Sequence, residues 1–417
     1  MELSDINLLD PDVFTKGVPH EWFTYLRKNA PVYHHPEPNG PGFYVISKHE
    51  DVGIVELDAK TYSSAAKYGG VVGLEEPTPA EREDLERQAA FTGNMMLYMD
   101  PPDHTLYRKI VHDGFRPRMI WALEQRVRER AIHILDDAIA QGECDFVVDV
   151  AAELPLQAIA ELLGVPMEDR HKLFDWSNRM IGSVDPEYAV SEENVRNAQV
   201  EMFMYAQELA ADRRANPRDD IVTKLLEAEV DGHSLSELDF NLFFLLLAVA
   251  GNETTRNAIS HGMAALLDNP EQYDILVEDP SAIDTAVEEI IRWASPVMYF
   301  RRNVTQDAEL RGQKFKAGDK LSLWYISANR DEDVFEEPFK FDIRRDPNPH
   351  IAFGHGHHFC LGFNLARLEV KVLFEELAKR VTKIESVGDL SRLRSNFIAG
   401  IKHLPVRFTK TRQPAGV

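Results

Sequence analysis

Hydrophobic residues recur at helical spacing along most of this chain. Residues 19 to 29 place Trp22, Phe23 and Leu26 on one face of a helix, and residues 120 to 232 keep a helical pattern almost throughout. That long stretch is divided by helix-ending signals at Gly142, Gly164-Val165-Pro166, Asp185-Pro186 and Asn216-Pro217. The pattern predicts a mainly α-helical protein.

A small β portion is predicted near the N-terminus and again late in the chain. The runs Val32-Tyr33-His34 and Gly42 to Ile46 alternate in polarity and are separated by Asn39-Gly40, which is typical of a hairpin. Alternation returns in Leu321 to Ile326. Between these regions, Ser47 and Glu50 have capping-box spacing, which predicts a helix from there to about Leu57.

One helix is predicted to be much longer than the others. Ser234 with Glu237 forms a capping box, and no stop signal follows until Asp268-Asn269-Pro270, so the helix spans about 45 to 50 Å. At its centre the run from Ala250 to Thr255 introduces small, acidic and hydroxyl residues into an apolar segment. A polar notch in a buried helix indicates a ligand beside it, or else a kink whose polar groups are satisfied by water.

Composition narrows the class of protein. The 417 residues are 44% hydrophobic and contain no Gly/Ser tract, Pro run or repeat, so we expect a single domain over 1–417. Two cysteines exclude a disulfide scaffold and favour a cytoplasmic location. The longest apolar run, Leu242 to Ala250, is too short to span a membrane. A net charge of −23 argues against binding nucleic acid or anionic membrane surfaces.

The most informative stretch runs from Phe353 to Gly362 and carries three glycines, three histidines and Cys360. Helical spacing resumes at Leu361, so the sulfur should lie near helix-starting N–H groups, which favour a thiolate. Cys360 is therefore a buried free thiol, a zinc ligand, or the single thiolate ligand of a haem iron. Zinc is the weakest interpretation, because Cys144 stands alone as a second cysteine.

This stretch resembles the haem-binding loop of the cytochrome P450 monooxygenases. Every position of that pattern is filled, by Phe353, Gly354, Gly356, His358, Cys360, Gly362 and Ala366. The resemblance implies the cytochrome P450 fold, with haem b between the long central helix and the helix that follows Cys360. It assigns Cys360 to the iron and Phe353, His358 and Gly362 to the cofactor.

Other motifs extend the resemblance along the chain. His104 and Arg108, at i and i+4, match the family's haem-propionate contact after Asp100-Pro101-Pro102-Asp103, where proline heads a predicted helix. Arg302 matches a second propionate ligand. Glu253 and Thr254 match the acid and alcohol that relay protons to dioxygen. The remaining matches are structural and are Glu289, Arg292 and Arg345.

The resemblance also implies a reaction and its partners. One oxygen atom of O2 enters an unactivated C–H bond, and electrons come from NAD(P)H through a ferredoxin and its reductase, because no G-x-G-x-x-G fingerprint follows a strand here. We expect the donor to dock over a basic face formed by Lys109, Arg116, Arg118, Arg367 and Lys371. Rival classes are a thiolate-haem sensor or carrier, a peroxide-using fatty-acid hydroxylase and a non-haem metal protein.

The substrate is predicted to be a hydrophobic small molecule. The helix-centre motif and Trp293-Ala294-Ser295-Pro296-Val297 resemble the branch that oxidises terminal methyl groups of methyl-branched fatty acids, isoprenoids or sterol side chains. The alternative is hydroxylation of compact terpenoids or steroid rings. The irregular stretch from Lys60 to Asp100, which includes Glu81 to Gln88, corresponds to the roof of the family's pocket. The expected lining is Leu246, Val249, Ala250, Val297, Met298, Phe397 and Ile398.

Overall fold

Helices form most of the protein, as the hydrophobic spacing predicts. The computed structural model describes residues 1–78, 93–189, 191–218 and 220–410. Glu81 to Gln88, predicted to roof the pocket, lie outside these residues. The described α-helices are α1 Pro11–Phe14, α2 His20–Asn29, α3 His49–Leu57, α4 Asp103–His112, α5 Pro117–Trp121, α6 Glu124–Gln141, α7 Glu153–Leu162, α8 Arg170–Ile181, α9 Glu192–Ala215, α10 Ile221–Glu227, α11 Glu237–Asp268, α12 Pro270–Glu278, α13 Ile283–Ala294, α14 Tyr325–Ala328 and α15 Phe363–Arg380.

Short strands make up the smaller β portion. They are β1 Val32–His35, β2 Phe43–Ile46, β3 Tyr62–Ser63, β4 Glu143–Asp145, β5 Glu229–Val230, β6 His233–Ser234, β7 Tyr299–Val304, β8 Ala308–Leu310, β9 Gln313–Phe315, β10 Lys320–Trp324, β11 Val381–Ser386, β12 Ser391–Arg392, β13 Ile401–His403 and β14 Pro405–Lys410. The largest sheet has the order β1-β2-β10-β7-β3. The predicted hairpin is its β1–β2 pair, with Val32 opposite Ile46.

The long helix α11 runs through the largest hydrophobic core. It is 32 residues long and packs against α7, α8, α9, α13 and α15. Most of its side chains are buried, among them Phe240, Leu242, Ile259 and Met263. The prediction of a central rod of more than 30 residues is confirmed. The expectation of one domain over the whole chain stays a prediction.

Three predicted helix starts are wrong in detail. Helix α11 begins after Ser236, whose hydroxyl and Asp239 form the capping box, because Ser234 is already paired in a short strand. Ser47 does not cap α3; its hydroxyl donates to the carbonyl of Pro31, and the N–H of His49 donates to Asp331. Helix α4 begins at Asp103, so both prolines precede it. No helix of the described chain is long and apolar enough to cross a membrane.

Candidate active site

The cysteine loop is shaped by two glycines in the left-handed region. Gly354 has φ of +73° and Gly356 has φ of +67°, conformations that side chains strongly disfavour. Between them and α15, a short 3-10 turn covers Gly356–His358, and the N–H of Cys360 donates to the carbonyl of Phe353 at 2.8 Å. These constraints hold the half-buried Cys360 just ahead of α15, whose N-cap is Gly362.

The helix start, which is expected to favour a thiolate, is opposed at Cys360 by burial. Burial raises the pKa of the Cys360 thiol above its ordinary value, although the N–H of Gly362 and the guanidinium groups of Arg108 and Arg367 lower it. Desolvation therefore outweighs the nearby dipoles and charges. A bound metal cation removes this penalty, since a coordinating thiol loses its proton outright.

A zinc site receives no support from the geometry. Among the described residues, no three His, Cys, Asp or Glu side chains group in a way that holds a metal ion. Cys144 is a buried free thiol in β4, paired opposite Val406, and burial raises its pKa to about 12.

The structure brings together His104 and His358, which lie more than 250 residues apart in the sequence. Their ring centroids are 4.2 Å apart, and burial, with Arg108 next, lowers the pKa of His104 to about 4. His358 contacts the carbonyl of Met99 through Nε2 at 3.1 Å. Both ring nitrogens of the buried His104 lack a hydrogen-bond partner within the described residues. A polar ring in this state fits a ligand oxygen at the site.

Arg302 and Arg108 supply the positive charge expected near these histidines. Arg302 lies in β7, is 3% exposed and lowers the pKa of His358 after burial, the larger cause. Its Nη2 is 3.4 Å from Oε1 of Glu56. Arg108 is half-buried and its Nη1 lies 3.4 Å from the carbonyl of His357 on the cysteine loop. The three predicted propionate contacts, His104, Arg108 and Arg302, thus lie in one region together with His358.

Glu56 is a site residue that the sequence analysis missed. It lies in the last turn of α3 and is 5% exposed. A lone glutamate near a helix end is typical of a solvated surface, so no signal marked it. Its burial depends on distant residues, namely Arg302 and Tyr325, whose hydroxyl donates to Oε1 at 2.6 Å.

In the polar notch of α11, the predicted acid Glu253 and the predicted alcohol Thr254 bind different partners. Thr254 is half-buried, and its hydroxyl donates to the carbonyl of Ala250 at 2.6 Å, as expected for a helical threonine. Glu253 is 1% exposed, pairs with Arg256 through Oε1 and also accepts from Asn257 at 2.9 Å. The acid is thus held inside the helix packing.

Arg256 links this acid to another helix. Its Nη1 donates to Oδ1 of Asn178 in α8 at 2.8 Å, and its guanidinium lies 5.5 Å from the ring centroid of Phe174. Sequence reasoning missed Arg256, because an i,i+3 charge pair is usually a surface feature. The ion pair with Arg256 uses Oε1 of Glu253, and its Oε2 has no hydrogen-bond partner among the described residues.

The predicted pocket residues divide into two groups. Leu246, Val249 and Thr254 are half-buried and Ala250 is exposed, which forms a stripe of free surface at the centre of a mostly buried helix. The turn near the C-terminus is bound to the segment after α13, since the N–H of Met298 donates to the carbonyl of Phe397 at 2.9 Å. The half-buried members of that contact are Val297 and Phe397.

Met298 and Ile398 differ from the other five expected lining residues. They are 0% and 2% exposed, and Met298 packs in the aromatic cluster around Trp324. Their surfaces are taken up by core neighbours, so neither has room for a ligand in this structure. The expectation that they line the pocket is therefore corrected.

Glu289, Arg292 and Arg345 meet as predicted from their motif. The carboxylate of Glu289 accepts from Arg292 Nε at 2.7 Å and Nη2 at 2.8 Å, and from Arg345 Nε at 3.2 Å. Glu289 and Arg292 are both fully buried. Arg292 also donates to the carbonyl of Asn329, whose side chain accepts from the N–H of Ile351 just before the cysteine loop. The cluster therefore supports that loop from behind.

The predicted basic face is only partly free. Arg367 binds both oxygens of Glu288, at 2.6 and 2.8 Å, and Lys371 binds Asp284 at 2.6 Å. Arg367 also lies 4.6 Å from the ring centroid of Phe353. Arg367 and Lys371 thus have acidic partners. Lys109, Arg116 and Arg118 are exposed.

The described ends of the irregular stretch are attached to the main sheet. Arg301 donates to the carbonyl of Gly73 at 3.0 Å, and Asn303 donates to that of Gly70 at 2.7 Å. At the other end, Asp100 accepts from Ser64 N–H at 2.8 Å. The residues between, 79–92, lie outside the described chain.

These features fit a haem. A cysteine with free surface lies in the loop before α15, a stripe of free surface crosses α11, and α11 packs against α15. Near that loop, an unpartnered buried histidine and two arginines can bind carboxylate groups. The donor set therefore matches the thiolate and propionate contacts of a haem.

Comparisons with known proteins agree with this geometry. The family model for cytochrome P450 matches residues 71–381. A steroid C26-monooxygenase from Rhodococcus jostii is 45% identical over 96% of this chain and 84% of its own length. A methyl-branched lipid omega-hydroxylase from Mycobacterium bovis is 42% identical over 93% of this chain and 90% of its own.

Solved structures agree as well. A Mycobacterium marinum cytochrome P450 in complex with pseudoionone has a TM-score of 0.87 at 37% identity, covering 96% of this chain and 98% of that one. The mainly α fold with a small β portion is thus confirmed. From its cysteine loop to its overall topology, the chain belongs to the cytochrome P450 family and is a haem-thiolate monooxygenase.

Proposed function

We propose that this monooxygenase hydroxylates the terminal methyl group of a methyl-branched fatty acid, an isoprenoid or a sterol side chain. Two relatives named for the end of a lipid or the C26 position of a steroid support it. The observation that carries the proposal is the stripe formed by Leu246, Val249, Ala250 and Thr254, the free surface at the centre of α11. Its apolar residues, Leu246, Val249 and Ala250, continue along the helix to Thr254, whose hydroxyl is predicted to deliver protons.

Geometry has to select the terminal methyl, because its C–H bonds are the strongest on such a chain. An apolar channel that admits only the chain end presents that carbon first. Each buried CH₂ contributes about 0.8 kcal/mol, so a long chain supplies both binding and orientation. We place Val297 and Phe397 opposite the α11 stripe. Both are half-buried, and they lie on two segments joined by the bridge between Val297 and Ile398.

Cys360 is proposed to ligate the haem iron, and His104, Arg108, Arg302 and His358 to bind the propionates. A thiolate-ligated haem supplies the activation of dioxygen, from which one atom enters the C–H bond. Phe353 packs beside Cys360 under the guanidinium of Arg367. The neutral His104 donates one ring N–H, and the arginines bind by charge-assisted hydrogen bonds.

Thr254 and Glu253 are proposed to control proton delivery. The Thr254 hydroxyl lies on the free stripe, where it can hold a proton close to the reacting oxygen, once it turns from the carbonyl of Ala250. Glu253 is the nearest acid along the helix, and its Oε2 has no partner within the described residues. Release of its Oε1 from Arg256 lets the carboxyl reach the hydroxyl.

Electrons are proposed to come from NAD(P)H through a ferredoxin and its reductase, in a cytoplasmic location. Ferredoxins are generally acidic, and Lys109, Arg116 and Arg118 are exposed cations. Lys109 follows Arg108, whose Nη1 lies 3.4 Å from the carbonyl of His357 on the cysteine loop. Replacing Lys109 and Arg118 with Glu should slow the first electron transfer and flatten its salt dependence. Arg196→Glu, an exposed change in α9, is the control. Equal reduction rates in both proteins would contradict this docking face.

Product analysis tests the substrate proposal. The enzyme, supplied with a ferredoxin and reductase, is given a methyl-branched fatty acid, a sterol with an intact side chain and a compact terpenoid. We expect primary alcohols from the first two. Ala250→Phe should block the channel, whereas Val200→Phe, on the exposed side of α9, should not. Mostly internal or tertiary alcohols, or preferred ring hydroxylation of the terpenoid, would contradict the proposal.

A further inference from the structure

Glu56 is a buried carboxyl group for which the reaction described so far has no use. Its Oε1 accepts from the hydroxyl of Tyr325 at 2.6 Å and lies 3.4 Å from Nη2 of Arg302. Its Oε2 is buried and has no hydrogen-bond partner within the described residues. A carboxylate in this state is costly to keep, because an unpaired buried acceptor loses its contact with water.

Glu56 also lies against the cysteine loop. A Cβ atom on Gly356 would lie only 2.5 Å from the backbone oxygen of Glu56, so the loop crosses the end of α3 where only glycine fits. A Cβ on Gly354 would lie 3.4 Å from Oε1 of Glu56. Glu56 is thus placed between the loop that carries Cys360 and the arginine proposed to bind a haem propionate.

Within the part of the chain that the structure describes, two charged or titratable side chains and one backbone N–H act directly on Glu56. Arg302 faces it from β7, Tyr325 from α14, and the N–H of His355 from the loop. His104 and His358 stand beyond Arg302, and burial lowers the pKa of each. Burial raises the pKa of Glu56 to about 7, against the opposing effects of Arg302, Tyr325 and the His355 N–H. The ionised and neutral forms of Glu56 are therefore close in free energy, so a change in nearby charge can shift its protonation.

We propose that Glu56 takes up a proton when the haem iron accepts an electron. The proposal rests on the haem of the family and on the Arg302 contact proposed above, but not on the substrate. A propionate bound to Arg302 leaves less positive charge to stabilise an ionised Glu56. An added electron makes the same buried region more negative, where water and salt screen charge poorly.

The step is balanced in charge. A one-electron donor, a ferredoxin or dithionite in the assay, reduces the ferric iron to ferrous. Glu56 gains one proton from solvent and forms an O–H bond at Oε2, and no bond within the protein breaks. The net charge of the region is thereby unchanged, which makes reduction easier at low pH than at high pH.

Reduction potentials test the proposal. The midpoint potential of the haem protein is measured from pH 6 to 8.5 for the wild type, Glu56→Gln and Glu50→Gln. Glu50 lies in the same helix with its side chain 74% exposed and serves as the control. The midpoint potential of the wild type and of Glu50→Gln should fall by up to about 59 mV for each unit of pH, the value for one proton taken up per electron. Glu56→Gln should lose most of that slope, and equal slopes in all three would overturn the proposal.

A second measurement tests the proposal even if the Glu56→Gln protein does not bind haem. Reduced-minus-oxidised infrared spectra of the wild type should gain the C=O stretch of a protonated carboxyl, shifted in D2O. Tyr325→Phe removes the hydrogen bond to Oε1, so this band should move and the potential slope should centre at a higher pH. A haem propionic acid would give a band that Tyr325→Phe leaves in place, and that result would also overturn the proposal. The product analysis above is independent of both outcomes.

Discussion

The cluster around Glu289 allows a quantitative prediction about stability. Its carboxylate accepts five hydrogen bonds: two from Arg292, and one each from Arg345, Asn348 and the N–H of Asp342. Glu289→Gln keeps the shape of the side chain but removes the negative charge. It also turns an NH₂ group toward donors, so at least one of those hydrogen bonds is lost.

The expected cost is large because both partners are fully buried. Removing one partner of a buried ion pair typically costs about 3 to 5 kcal/mol, since the other charge stays behind without compensation. A whole domain is stable by only about 5 to 15 kcal/mol. Arg292 also holds Asn329, which in turn binds the backbone ahead of the cysteine loop. Glu289→Gln should therefore loosen the haem as well as the fold.

Urea unfolding measured by circular dichroism, with the Soret absorbance recorded in parallel, tests both parts. Asp284→Asn is the matched control, because Asp284 lies in the same helix and its side chain is 76% exposed in its pair with Lys371. That exposed pair should contribute about 0 to 1 kcal/mol. If Glu289→Gln lost less than about 1 kcal/mol and released haem no faster than the control, the reasoning from burial would be refuted.

Three further predictions concern single residues. Reduced protein under carbon monoxide should show the far red-shifted Soret band of thiolate haem in the wild type and Cys144→Ala but not in Cys360→Ala; a band typical of histidine-ligated haem in the fresh wild type would refute the assignment. Thr254→Ala and Glu253→Gln should bind substrate normally but lower product formed per NAD(P)H consumed, since losing a general acid route typically costs about 10² to 10⁴-fold; unchanged coupling would remove their roles. For His403, burial lowers the pKa, but hydrogen bonds and charge from Asp145 and Glu187 raise it above its ordinary 6.5 in the folded protein. The positive charge of His403 therefore stabilises the fold fully below pH 6.5. This stabilisation is lost as the pH rises through the raised pKa of the folded protein. The difference in melting temperature between wild type and His403→Gln should shrink over that range, and a constant difference would contradict it.

Much of this protein was predictable from local sequence. Helical spacing located the long helix α11, because amphipathic and buried helices leave a periodic record in the chain. The spacing from Phe353 to Gly362 identified the cysteine loop, since its glycines and cysteine must lie at fixed positions to surround a flat ligand. In the same way, Glu289 and Arg292 are close in sequence and their contact follows from helix geometry.

Other features depended on partners far along the chain. The N-terminus of α3 is capped by Asp331, 282 residues later, so the local Ser47–Glu50 box had no bearing on it. The position of Met298 next to Val297 predicts a pocket residue, yet the aromatic cluster around Trp324 buries its side chain. Burial is a property of what packs against a residue, and the periodicity of one segment does not report it.

The charged residues show most clearly the difference between what local sequence predicts and what tertiary contacts decide. The sequence by itself, through its resemblance to the family's motifs, predicted that Cys360, His104, Arg108 and Arg302 serve one cofactor. Only the tertiary structure decided which charges are neutralised, as Arg367 is by Glu288, and which carboxyl group is left partly unpaired, as Glu56 is. A charge acts over several ångströms in three dimensions, so its energy depends on neighbours and solvent that the order of residues does not specify.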